Sequence, residues 1–100
     1  MSLEIKKTIG ETILVQLTGR LDTASAPDLE NELNEIISFG KPITIDLKEL
    51  DYVSSAGLRV FLITQKNVNA NASSLKFINV NEIIMEIFDT TGFNDILTIE

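Results

Sequence analysis

Two adjacent hydroxyls, Ser54 and Ser55, stand where a charged stretch gives way to the largely apolar run Leu58 to Ile63. From Asp46 to Leu58 the pattern reads as a strand end, a short loop and a helix start. The first turn of a helix leaves backbone N–H groups unpaired and carries a partial positive charge, so it welcomes an anion such as phosphate. A phosphate esterified to a serine at this point would meet those donors and add about −1.5 to −2 charges. The plainer role for one of the two serines is the helix N-cap, worth about 1 kcal/mol. Gly57 sits in the same first turn, where it costs a helix about 1 kcal/mol relative to Ala. Either something approaches the backbone there, or the helix start packs closely on a sheet.

Other chemistry is scarce. The chain has no histidine and no cysteine, which removes Ser-His-Asp triads, Cys-His pairs, disulfides and nearly every zinc site. It holds neither a glycine-rich phosphate loop nor a Gly-x-Ser-x-Gly elbow. Asp46, Glu49 and Asp51 lack the glycine of a calcium loop and read as polar loop residues. Asp28, Glu30, Glu32 and Glu35 form a solvated helix face or a docking face for a basic partner. Arg59, one turn into its helix, could hold a phosphate, reach solvent or pair with a carboxylate. No enzyme activity, cofactor or metal is expected.

Charge points the same way. Eight Lys and Arg against fifteen Asp and Glu give a net charge of −7, which repels nucleic acid and anionic membranes and favours a basic protein partner. No apolar run is long enough to span a bilayer. One hundred residues, 44% of them hydrophobic, suit a single domain spanning residues 1–100. The composition describes a soluble, cytoplasmic interaction module.

The elements that must position the serines follow from periodicity. Leu3 to Ile9 reads as an edge strand, with Leu3, Ile5 and Ile9 inward and Lys6-Lys7 guarding the edge. After a turn at Gly10-Glu11, Thr12 to Leu17 alternates as a second strand, and Gly19-Arg20-Leu21-Asp22 breaks the pattern. Ser25-Ala26-Pro27-Asp28 opens a helix with a capping side chain, an early proline and an acid. Leu29, Leu33, Ile36 and Ile37 make its apolar stripe. Ile43 to Leu47 is a third strand, and Leu58 to Asn69 a helix so apolar around Phe61 that the fold or a partner must cover it. Asn67 to Ser74 follows as a polar turn. Leu75 to Val80 is a fourth strand, Glu82 to Phe88 a short helix, and Ile96 to Ile99 a short terminal strand. The fold class is α/β: a mixed, mostly parallel sheet of four to five strands with helices mainly on one face.

With these segments in order, the chain resembles the STAS domain, and within it the bacterial anti-sigma factor antagonists. Gly19-Arg20-Leu21-Asp22 with Ala26 and Leu29 is similar to the family's Gly-x-Leu-Asp segment and following helix. Ile45-Asp46-Leu47 is similar to its central strand. Val53-Ser54-Ser55-Ala56-Gly57-Leu58 matches its Asp-Ser-Ser/Thr-Gly-Leu signature, and Ile84-Met85-x-Ile87-Phe88 with Gly92 and Phe93 its last helix and turn. Ser54 stands where the commonest form has Asp, and Ala56 where it has Ser or Thr. The resemblance implies phosphorylation at Ser55, with Ser54 the less favoured acceptor. It also implies a partner-binding face of Asp22, Ser54, Ser55, Ala56, Gly57 and Arg59. The mechanism it implies is partner switching. The unmodified protein binds an anti-sigma factor, often a serine kinase, and so frees a sigma factor. Phosphorylation breaks that complex and a protein phosphatase restores it. A scaffold or sensory STAS module that is never phosphorylated is the alternative.

Overall fold

The computed structural model describes residues 3–70 and 73–100. In chain order the elements are β1 (Leu3–Ile9), β2 (Ile13–Leu21), α1 (Ala26–Ile37), β3 (Ile43–Val53), α2 (Ser55–Ala70), β4 (Leu75–Ile78), α3 (Glu82–Thr91) and a short 3-10 helix, Phe93–Asp95. The four strands form one sheet in the order β1-β2-β3-β4. The β1–β2 hairpin is antiparallel, while β2–β3 and β3–β4 are parallel, as connections through helices require.

Alternation puts Ile13, Val15 and Leu17 of β2, Ile43, Ile45 and Leu47 of β3, and Leu75 and Phe77 of β4 on one buried face. All three helices bury their apolar residues in the same core cluster, through Leu29 and Leu33 of α1, Phe61 and Val68 of α2, and Ile84 and Phe88 of α3. Leu14, Gln16, Thr44, Asp46, Lys76 and Ile78 occupy the opposite, half-buried face. The expected mixed, mostly parallel sheet is therefore present with four strands.

Several boundaries differ from the expectations, each for a physical reason. Strand β2 does not stop at Leu17 but continues through Gly19, whose φ of 101° tolerates the irregularity. Strand β3 runs on to Val53 instead of ending at Leu47. Ile13 pairs with Ile43 and Leu21 with Val53, so β3 fits in two more residues than β2 over the same span, at two register shifts. Those bulges turn its buried positions to every third residue, Leu47, Leu50 and Val53, where an unbroken strand would bury every second.

Helix α2 begins at Ser55, not Leu58, and extends to Ala70 through part of the expected turn. The turn residues Asn71 and Ala72 lie outside the described residues. Strand β4 stops at Ile78, and α3 runs on to Thr91 before Gly92, whose left-handed φ of 80° ends it. Ile9, expected inward, is half exposed, at 50%, as the last residue of the edge strand β1. The expected terminal strand is reduced to one parallel bridge, Ile99 to Phe77, held by Phe77 N–H to Thr98 O at 2.8 Å and Glu100 N–H to Phe77 O at 2.9 Å.

The apolar helix is covered by its own fold around Phe61. That ring is fully buried and meets Phe77 edge-on at 5.0 Å between centroids and Phe88 at 6.3 Å, a preferred aromatic geometry. Phe61→Ala should therefore lower the unfolding free energy by about 3–5 kcal/mol in urea titration. A loss below about 1 kcal/mol would remove Phe61 from the core.

Candidate functional site

The C-terminal ends of β2 and β3 and the N-terminal ends of α1 and α2 meet at one edge of the molecule. In open parallel sheets that edge is where sites form. Three contacts shape these ends.

The first is a steric contact. A Cβ placed on Gly57 would lie 2.6 Å from Leu21 Cγ and 2.8 Å from Val53 Cγ2. Only glycine lets the first turn of α2 rest on the last paired residues of β2 and β3. Of the two explanations open for Gly57, close packing on the sheet holds. Gly57 is buried, so this member of the expected partner-binding face serves the packing instead.

The second contact fixes Ser54. Its N–H donates to Leu21 O at 2.9 Å, its carbonyl accepts from Leu58 N–H at 2.9 Å, and its Oγ accepts from Gly57 N–H at 3.3 Å. Ser54 is thus the N-cap of α2, half-buried and committed by its backbone and its side chain. Ser55 follows as the first helical residue. It is exposed, and among the described residues its hydroxyl makes no hydrogen bond to the protein. At the start of an α-helix the N–H groups of Ser55 and Ala56 have no intrahelical acceptor.

The third contact is the Asp22–Ser25 turn. Asp22 Oδ1 accepts from Ala24 N–H and Ser25 N–H, each at 3.1 Å. The Ser25 hydroxyl accepts from Asp22 N–H at 2.9 Å, and its own proton faces Arg20 O at 3.0 Å and Asp22 Oδ1 at 3.1 Å. The expected capping side chain at Ser25 is therefore turned back to the strand end, with no cap bond into α1. These donors, Ser25 N–H foremost, hold the Asp22 carboxyl below its ordinary range. A depressed carboxylate adds stability that is present above its unfolded value and lost as pH falls through the folded one.

Between the two helix starts lies a groove of about 470 Å³. Thr23, Pro27 and Glu30 line one side and Ser55, Ala56 and Arg59 the other, with Val60 and Ile63 contributing apolar surface. Of the six expected partner-binding residues, Ser55, Ala56 and Arg59 come together here. Asp22 and Ser54 sit behind them as supports. Glu30 belongs to the acidic stripe read as a solvated or docking face, whereas sequence reasoning did not find Thr23, Pro27 or Ile63, because their meeting in one groove has no short-range signal. Of the acidic stripe, Glu32 is taken by Lys7 across from β1, which raises the lysine pKa. Among the described residues no three carboxylates gather closely enough to hold a metal ion, and Asp46 Oδ1 accepts from Lys48 N–H at 2.9 Å.

Comparison with known proteins gives a consistent picture. The STAS domain family matches residues 3–100. An anti-sigma-B factor antagonist of Bacillus subtilis is 35% identical over 99 residues, covering 99% of this chain and 90% of that protein. One of Staphylococcus aureus is 31% identical over 99 residues, 97% of this chain and 92% of the relative. Among solved structures, an anti-sigma factor antagonist from Mycobacterium paratuberculosis superposes with a TM-score of 0.87 at 18% identity, over 98% of this chain and 85% of that one. The Bacillus cell fate determinant SpoIIAA in its phosphorylated form gives 0.73 at 18% identity, over 99% and 91%. At these identities the two structures speak for the fold.

Gly57→Ala tests the contact on which the site rests. The added methyl favours the helix by about 1 kcal/mol, but overpacking against Leu21 and Val53 costs about 1–3 kcal/mol. The balance should be a loss of stability in urea titration, smaller when Leu21→Ala is present in the same chain. A stabilised Gly57→Ala would show that the first turn of α2 has room to spare.

Proposed function

The chain belongs to the STAS domain family, and from that premise we propose that it is an anti-sigma factor antagonist, switched off by phosphorylation of Ser55. Unmodified, it binds an anti-sigma factor of the serine-kinase type in the cytoplasm and so releases a sigma factor for transcription. The kinase transfers the γ-phosphoryl group of ATP to Ser55 Oγ; the hydroxyl proton is lost and ADP leaves. A protein phosphatase hydrolyses the ester and restores the binding form.

The observation that carries this reading is the unequal use of the two serines. The Ser54 hydroxyl is spent on the cap bond to Gly57 N–H, while the Ser55 hydroxyl points out with no protein partner. Ser55 also lines the groove with Ala56 and Arg59, where a docked protein would cover it. The family's Asp is replaced by Ser54, but a serine caps a helix as well as an aspartate does. A dianion at a closely packed interface meets desolvation and repulsion, and about 2.7 kcal/mol of either weakens binding a hundredfold. The relatives named as anti-sigma-B factor antagonists support the same role.

The test uses the kinase-type anti-sigma factor encoded nearest this chain. Ser55→Asp should bind it at least tenfold more weakly than the parent by calorimetry, yet melt like the parent, because Asp suits a helix N-terminus. Ser55→Ala should bind and take up no phosphate. Normal binding by Ser55→Asp, with no phosphate on either serine, would favour the unmodified scaffold.

A further inference from the structure

Arg20 and Tyr52 make a contact at the same edge that neither packing nor the switch uses. They are register partners at the ends of β2 and β3, and the next pair, Leu21 and Val53, faces the core. Alternation therefore turns Arg20 and Tyr52 outward. The guanidinium carbon lies 4.4 Å from the Tyr52 ring centroid, a cation–π stack. Both side chains are open to solvent, Arg20 at 56% and Tyr52, as a residue, at 37%. Asp22 Oδ2 stands 3.9 Å from Arg20 Nε, a long ion pair without a hydrogen bond that leaves the other guanidinium N–H groups unpaired with Asp22.

We infer that the Arg20–Tyr52 stack is a second docking element for the anti-sigma factor, in which Arg20 reads a carboxylate on the partner; this rests on the function proposed above. Three observations support it. The first is residue type. The chain has two arginines among its eight cations, and both lie beside the serine turn, Arg59 in the groove and Arg20 at the end of β2. A guanidinium presents a planar fork that a carboxylate can engage with two bonds, which an ammonium cannot. Tyr52 against the guanidinium and Asp22 near its Nε hold the side chain in place before binding, so less freedom is lost when its remaining N–H groups meet a carboxylate.

The second is placement. Tyr52 precedes Ser55 by three residues, at most about 10 Å along an extended chain. A standard interface covers about 800 Å² per partner, a disc of roughly 16 Å radius. A partner centred on Ser55 that also covers the open sheet face at the ends of β2 and β3 therefore reaches the stack. The third is charge. On a chain of net charge −7, a fixed cation at the docking edge marks a point where a basic partner must carry an acid, which sets the register of the complex.

Binding of the same anti-sigma factor, measured by calorimetry beside Ser55→Asp, tests this. Arg20→Ala should weaken binding at least tenfold, and Arg20→Lys should not restore it. Tyr52→Phe keeps the ring face and should bind within about twofold of the parent, whereas Tyr52→Leu should resemble Arg20→Ala. The double variant Arg20→Ala, Tyr52→Leu should be little weaker than either single one, since the two act as a unit. Thermal melting checks each fold, and if Tyr52→Leu fails to fold, the two Arg20 variants decide. Parent-like binding by Arg20→Ala while Ser55→Asp loses affinity overturns the docking element and leaves the switch standing. No binding by the parent overturns both. Self-association of the parent that Arg20→Ala abolishes in sedimentation would assign the stack to a second copy and overturn the inference.

Discussion

The contact between Gly57 and the Leu21–Val53 pair is the constraint on which the rest of the site depends. With no Cβ in the way, the first turn of α2 sits directly on the end of the sheet. That approach brings Ser54 N–H to Leu21 O, so the strand end and the helix start share a hydrogen bond. Once Ser54 is pinned there, its hydroxyl can only serve the helix, and the next residue must face outward. The exposure of Ser55 is thus a consequence of a glycine two positions later.

The bulges of β3 are the second condition. By adding two residues over the span shared with β2, they carry Val53 to the position beside Leu21. Bulges free backbone carbonyls, and a single side chain collects them. Asn81 Nδ2 lies 3.1 Å from Leu47 O and 2.8 Å from Leu50 O, while its Oδ1 accepts from Ile84 N–H at 3.0 Å as the N-cap of α3. One asparagine therefore satisfies the irregular strand and starts the last helix. Removing Nδ2 would leave the Leu47 and Leu50 carbonyls unpaired, and removing Oδ1 would leave the Ile84 N–H without its cap, each a cost of about 1–3 kcal/mol.

Much of this was legible in the residues. Ile13, Val15 and Leu17, and again Ile43, Ile45 and Leu47, alternate as strands do, and Leu29, Leu33, Ile36 and Ile37 fall on one helical stripe. The serine turn and the helix behind it were placed to within three residues. What stayed hidden lay past the bulges. Leu47, Leu50 and Val53 repeat every third residue, a period that belongs to neither a regular strand nor a helix, so β3 read as ending early. The groove was hidden for another reason, since it joins Pro27 and Glu30 of α1 to Ala56 and Arg59 of α2 across some thirty residues of chain. Which serine caps the helix depends on the direction in which the chain leaves β3, and spacing alone does not set that.

In the proposed switch two neighbouring hydroxyls take separate tasks, Ser54 holding the helix and Ser55 accepting the phosphate. Mass-spectrometric localisation of phosphate on the unaltered protein, after incubation with the kinase-type anti-sigma factor and ATP, tests that division most directly. Phosphate on Ser55 with Ser54 unmodified is the predicted result. Phosphate on Ser54 would contradict it, because the hydroxyl assigned to the cap would then be the one that carries the phosphate.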